Sequence, residues 1–187
     1  MRTRMQILLM AAAMLFIATA IRATTLARMS LDQLAAAADA VARVRCDSAE
    51  SRWENGAIWT VTTFDVVESM KGALPQQVTV RLPGGRAGHL TAAVDGTPRF
   101  NAGDEAVVFL ERSRAGGFSV AGWVEGTFRI TRDPRTLHET VTQDSSTFAV
   151  FDPATRVFRT EGVRRMPVEQ FRERTAAAIA RAQGKTR

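Results

Sequence analysis

Between Ala42 and Ile130, short apolar runs recur at close intervals with turn signals between nearly every pair. This punctuation constrains the fold more than any other feature of the chain. Strands at this spacing with turn signals between them point to a small β-barrel or a sandwich, and the barrel is favoured. Ala42, Val44 and Cys46 alternate with Arg43, Arg45 and Asp47, the pattern of a half-buried strand. Glu54-Asn55-Gly56 follows as a hairpin turn, because Asn-Gly tolerates the positive φ angles of a tight connection. The next run, Ala57 to Met70, is apolar on both parities: Ile58, Phe64 and Val66 on one, Trp59, Val61 and Val67 on the other. A strand covered on different faces along its length predicts a strongly curled sheet.

Further strands are expected at Val78 to Leu82, at Ala106 to Leu110, at Phe118, Val120 and Val124, and at Phe128 to Ile130. A Gly-rich loop, Gly84 to Gly88, and an apolar run from His89 to Val94 fall between the strands expected at Val78 to Leu82 and at Ala106 to Leu110. Ahead of the series, Ser30-Leu-Asp-Gln33 has the form of a capping box and predicts a short helix over Leu31 to Ala37. Behind it, Phe148, Val150 and Val157 flank Asp152-Pro153 as an appended hairpin. Pro167 then opens a helix whose stripe is Val168, Phe171, Thr175, Ala178, Ile179 and Ala182. The expected fold is mainly β: a small OB-like β-barrel with a short N-terminal helix, an appended hairpin and a C-terminal amphipathic helix. Residues 21–131 form the barrel domain and residues 132–187 the hairpin and helix.

The first 20 residues read as a secretory signal peptide. Arg2 and Arg4 precede 14 uncharged residues, Ile7 to Ala20, which end on the small triplet Ala18-Thr19-Ala20. Export to the periplasm or the extracellular space is expected, the alternative being retention as an N-terminal anchor in the inner membrane. Only one Cys is present in 187 residues, so the fold is held by packing without an internal disulfide. With two His, no three-histidine metal site can form. The net charge of +6 is unevenly placed: Ile21 to Pro153 carries 14 basic and 16 acidic residues, Ala154 to Arg187 nine and three. A basic face is therefore not expected on the barrel, which makes nucleic acid an unlikely partner. The Arg-rich C-terminal helix is the part that could touch a membrane.

Three features together resemble a known family: Ala38-Asp-Ala-Val-Ala-Arg-Val44, the long strand Trp59 to Val67 running into Met70-Lys71-Gly72, and Gly103-Asp104-Glu105 before Ala106-Val-Val-Phe-Leu110. Over roughly residues 38 to 111 the chain resembles the netrin-type OB barrel typified by tissue inhibitors of metalloproteinases, a module also found in secreted bacterial proteins. The resemblance implies the barrel fold and an extracytoplasmic role. The inhibitors chelate the protease zinc with an N-terminal Cys, and the segment after Ala20 has none, so inhibition is not carried over to any residue here.

Motifs for chemistry fail on their spacing. His138-Glu139 lacks the second zincin ligand, since Thr142 stands four residues on. Gly184-Lys185-Thr186 has Ile179 and Ala180 where a P-loop needs its first Gly. Gly117-Phe-Ser119-Val-Ala121 ends without the Gly of a nucleophile elbow. No catalytic residue, metal ligand or cofactor is therefore expected. Cys46 shares parity with Ala42 and Val44, which predicts a buried, inert thiol. Trp53, Trp59 and Trp123 are expected to pack in the core or at its rim. The Gly84 to Gly88 loop reads as a solvated turn, yet it alone combines permissive backbone with nearby basic groups. Its candidate ligand residues are Arg81, Arg86, His89 and Arg99.

The expected function is an exported, non-catalytic interaction or binding module of the cell envelope, with another envelope or secreted protein as one partner class. A polyanion- or oligonucleotide-binding OB protein, and a protease inhibitor or enzyme, are the alternatives. N-terminal sequencing of protein from the envelope fraction is expected to begin close to Ile21; an intact Met1 on cytoplasmic material would contradict export.

Overall fold

The computed structural model describes residues 27–184 apart from 115 and 148. The signal-peptide expectation for residues 1–20, and Phe148 of the expected hairpin, lie outside the described residues.

Helix α1 (Leu31–Ala37) has the expected bounds. The Ser30 hydroxyl accepts from the Gln33 N–H, and the Gln33 side chain accepts from the Ser30 N–H, so two orphan donors of the first turn are satisfied reciprocally. The Lys71 ammonium closes the other end by donating to the carbonyls of Ala35, at 2.8 Å, and Ala38.

Strands β1 (Ala40–Glu54) and β2 (Ala57–Lys71) form one 15-residue hairpin, turning at Asn55 and Gly56, both at positive φ. Strand β3 (Gln77–Pro83) pairs with β2. Next come β4 (Gly85–Ala87), β5 (Leu90–Ala92), β6 (Glu105–Arg112) and β7 (Phe118–Val120). Strand β7 lies antiparallel to β6 and makes one parallel pairing with β3, Val80 to Phe118. Strand β6 also pairs with β1, which closes a five-stranded ring in the order β1-β2-β3-β7-β6. That order, antiparallel except between its third and fourth members, β3 and β7, is the partly open barrel of an OB-like fold.

The sheet does not stop at the ring. Strand β8 (Thr127–Arg132) pairs with β6 beside the short β7, and β9 (Glu139–Gln143) and β12 (Met166–Pro167) extend the sheet beyond it. Strand β9 was not expected, because Glu-Thr-Val-Thr-Gln carries one apolar residue. Val141 faces the core while the polar neighbours make ion pairs and hydrogen bonds. Val124, expected in a strand, sits instead in a 3-10 turn, Trp123–Gly126, where Gly122 and Trp123 at positive φ end β7. The expected hairpin forms as β10 (Val150–Asp152) and β11 (Val157–Arg159).

Two apolar cores result, one inside the ring and one outside it. Ala42, Val44, Phe64, Val80, Ala106, Val108 and Leu110 fill the barrel. Val41, Val107 and Phe109, on the opposite faces of β1 and β6, pack outward against α1 and α2 (Val168–Gly184). From α2 come Val168, Phe171, Thr175, Ala178 and Ile179, the stripe expected from sequence, with Ala182 partly buried. Phe171 is fully buried and its ring lies 4.6 Å from that of Phe128, which in turn meets Phe109 at 5.6 Å. Two of the helix guanidiniums are ion-paired: Arg172 with Glu68 and Glu169, Arg181 with Asp32.

Ion pairs bind the strands of the outer sheet together. Arg43 of β1 donates to Glu139 of β9 at 2.8 and 2.9 Å and to Glu105 of β6 at 2.6 Å, and Arg132 of β8 joins Glu139 at 2.7 Å. Hydrogen bonds from Arg43 first, against the cost of burial and with Arg132 adding to them, hold the Glu139 carboxyl down at about 2.

Phe171→Ala is expected to cost about 3–5 kcal/mol, a large part of a stability of about 5–15 kcal/mol, while the exposed Arg174→Ala changes the melting temperature little. Glu139 contributes stability that is full above its ordinary value of 4.5 and is lost as pH falls from there to about 2. Acid titrations followed by circular dichroism should therefore show a shallower loss over that window in Glu139→Gln than in wild type.

Candidate functional site

The face that each residue of β1 presents depends on a bulge. The β1–β2 register runs Cys46 to Phe64 and then Ser48 to Thr63, leaving Asp47 as an extra residue. Beyond it the inward parity of β1 passes from Ala42, Val44 and Cys46 to Ala49 and Ser51. Ser51 thereby lies opposite Thr60, on the face that carries Thr62 and Phe64. The interior of the ring is apolar up to this level and hydroxyl-lined above it. The result is a cavity of about 370 Å³ at one end of the barrel, based on Leu82, Phe100 and Thr62.

Its walls come from three segments. Ser51 and Thr60 share a 2.8 Å hydrogen bond, and the Thr60 hydroxyl donates to the Gly84 carbonyl at 2.7 Å. Strands β4 and β5 form a small hairpin that brings Gly85, Arg86 and Thr91 to the rim. The third wall is Thr97 to Asn101. Gly85 is essential to this approach: it sits at φ +127°, and a Cβ there would collide with the Ser51 and Thr60 hydroxyls. Two hydroxyls around the cavity are buried without a hydrogen-bond partner, Thr62 Oγ1 and Thr97 Oγ1, and Thr62 is only 1% exposed. Buried hydroxyls are normally satisfied, and of the four orphaned among the described residues, Thr62, Thr97, Ser145 and Thr175, two line this cavity.

Arg129 of β8 braces the third wall from outside. Its guanidinium lies 4.2 Å from the centre of the Phe100 ring, donates to the Arg99 carbonyl, and pairs with Asp104 at 2.9 Å and with both oxygens of Asp144 at 3.0 to 3.1 Å. Burial pushes the Asp144 carboxyl above its ordinary range, and Arg129 opposes that rise. Phe64 meets Phe100 edge-on at 4.8 Å, so the ring at the cavity base is held on two sides.

The structure separates the four residues singled out from sequence. Arg86 and Arg99 line the cavity, and no carboxylate pairs with either among the described residues. Arg81 points to the opposite face of β3, stacked at 4.4 Å on the Trp59 ring and paired with Glu54 at 3.1 Å. His89 is exposed in the turn between β4 and β5 and does not line the cavity. The segment expected as a Gly-rich loop is thus largely a hairpin, because Gly85, Arg86 and Ala87 find partners in Ala92, Thr91 and Leu90. Ser51, Thr60, Thr62 and Arg129 were missed, since hydroxyls in a long strand and an Arg in a short one carry no motif. The Asp-Ser at 47–48, breaking the alternation of β1, was the one available signal.

Other sequence candidates are placed as follows. Cys46 is buried and free, and burial first, then Asp104, pushes its thiol up. Trp53 is 57% exposed near the tip of the β1–β2 hairpin, contrary to a packing role, because that hairpin projects past the core. Trp59 and Trp123 are partly buried. A larger, open groove of about 790 Å³ lies between α1, the 162–166 segment and α2. There Arg28 is paired with Glu161, and Arg164 is committed to the carbonyls of Ser146 and Thr160. No group of three or more metal-ligating side chains, and no helix long and apolar enough to cross a membrane, occurs among the described residues.

Fold and cavity define a class, an OB-like barrel with a polar, hydroxyl-lined mouth. No protein-family model matches the chain, and no curated protein matches it.

Arg129→Met should cost about 3 kcal/mol by leaving Asp144 without its partner. Hydrogen exchange should speed up at Asn101, Gly103 and Asp104, while the β2 and β3 amides keep their protection relative to the new global stability.

Proposed function

We propose that the protein is an exported, non-catalytic binding module of the cell envelope, with the barrel mouth as its ligand seat. The observation that carries this reading is the buried, unpartnered Thr62 hydroxyl at the wall of a cavity that combines an apolar base with hydroxyls, an amide and two guanidiniums that have no ion pair among the described residues. The make-up of those walls supports binding over catalysis. Among the described residues no carboxylate, imidazole or thiol lines the mouth, so these residues supply no general base and no activated nucleophile there. Export rests on the basic start, the 14 uncharged residues and the Ala-Thr-Ala triplet, and an envelope role also fits the resemblance to netrin-type modules. The negative balance of the central chain weighs against oligonucleotide binding.

A panel of small sugars, amino acids and phosphates titrated into 15N-labelled protein tests the reading. Saturable amide shifts centred on Thr60, Thr62, Gly85 and Thr97, with the added compound unchanged afterwards, are the expected result. Shifts centred elsewhere would reject the mouth as the seat. Turnover of the compound would make the protein an enzyme. Binding of long polyanions that collapses between low and moderate salt would favour the oligonucleotide alternative.

A further inference from the structure

We infer that the mouth takes a monosaccharide-sized polyol bearing one anionic group, a sugar acid or a sugar phosphate. This rests on the mouth being the ligand seat, and adds the chemical class of what it holds.

Size comes first. A cavity of about 370 Å³ is near the small end of ligand sites, which run from about 300 to 1,000 Å³. It suits one sugar ring rather than a polymer segment.

The hydroxyl pattern comes second. Thr60 commits its proton to the Gly84 carbonyl, so the proton in the Ser51–Thr60 bond must belong to Ser51. Ser51 Oγ then faces the cavity as an acceptor, while Thr62 and Thr97, both unpartnered, can each donate and accept. A ligand with adjacent hydroxyls satisfies such a set, because each of its O–H groups also donates and accepts. An apolar ligand would leave the Thr62 hydroxyl buried and unmet, which is unfavourable.

Charge comes third. Arg86 and Arg99 stand on two different walls, one on the β4–β5 hairpin and one on the segment before β6, and among the described residues no acidic side chain lines the cavity between them. Among the described residues the Arg86 guanidinium makes one hydrogen bond, a 3.3 Å contact to the Gly88 carbonyl, close to the limit of such bonds. Arg99 is held by its backbone, through Arg129, and its side chain has no ion pair among the described residues. Two unneutralised guanidiniums across a small cavity select an anionic group, carboxylate or phosphate, which charge-assisted bonds hold more strongly than a neutral hydroxyl.

Calorimetric titration of the exported chain with galacturonate, glucose 1-phosphate, glucose and inorganic phosphate tests each element. At least one of the two sugar anions should bind about tenfold or more tightly than glucose and than inorganic phosphate. Whichever binds identifies the anionic group as carboxylate or phosphate. The double variant Arg86→Gln/Arg99→Gln should reduce that ligand to the affinity of glucose without lowering the melting temperature. Thr62→Val should weaken it severalfold, with Thr97→Val as the second variant should Thr62→Val fail to fold.

Glucose binding as tightly as the sugar anions would overturn the anionic part and leave the mouth as a seat for neutral ligands. Inorganic phosphate binding as tightly would overturn the polyol part. No binding of any of the four would overturn the inference while the wider panel still decides the seat, so the two failures are distinguishable.

Discussion

Strand β6 is buried on both faces, and the rest of the structure depends on it. Ala106, Val108 and Leu110 face the inside of the ring, while Val107 and Phe109 face the outer core. One side of the strand pairs with β1 and closes the barrel; the other pairs with β7 and then β8. A strand that must bury both faces needs a second layer outside the barrel, and α1 and α2 supply it. The chain Phe109, Phe128, Phe171 is the physical link from barrel wall to C-terminal helix. The helix is therefore part of the core rather than an attachment to it.

Two arginines do for the polar side what β6 does for the apolar one. Arg43 ties β1 to β6 and β9, and Arg129 ties β8 to the segment before β6 and to Asp144. Each guanidinium meets two carboxylates, which lets its fork geometry fix the relative positions of three chain segments. Arg129 also sets the Phe100 ring at the base of the mouth, so the outer sheet and the candidate site are mechanically continuous. The Thr62 and Thr97 hydroxyls stand apart from this economy. They are the two unpartnered buried hydroxyls that line the mouth, which is why those two carry the functional reading.

Much of the barrel was legible from local chemistry. The capping box, the Asn-Gly turn, the alternation of β3, the unbroken apolar run of β6 and the stripe of α2 each follow from short-range periodicity or turn geometry. Strand β9 was not legible, because its place in the sheet is secured by Val141 and by partners far away in sequence, Arg43 and Arg132 among them. Little of the candidate site was legible. Gly-rich backbone beside basic residues drew attention to Arg86 and Arg99, which line the mouth, and to Arg81 and His89, which do not, since sequence proximity ignores which face a side chain takes.

By itself, the sequence determined that this chain makes a curled, mainly β domain closed by an amphipathic helix and held without a disulfide. Those properties depend on periodicities of two and 3.6, on turn residues and on cysteine count, all of which act over a few neighbours. Only the tertiary structure decided that the barrel has a polar mouth and which residues line it. That outcome hangs on one extra residue, Asp47, which shifts the register and turns Ser51 toward Thr60 and Thr62. A bulge is a property of two paired strands rather than of one segment, so the face each side chain takes is settled when the strands meet.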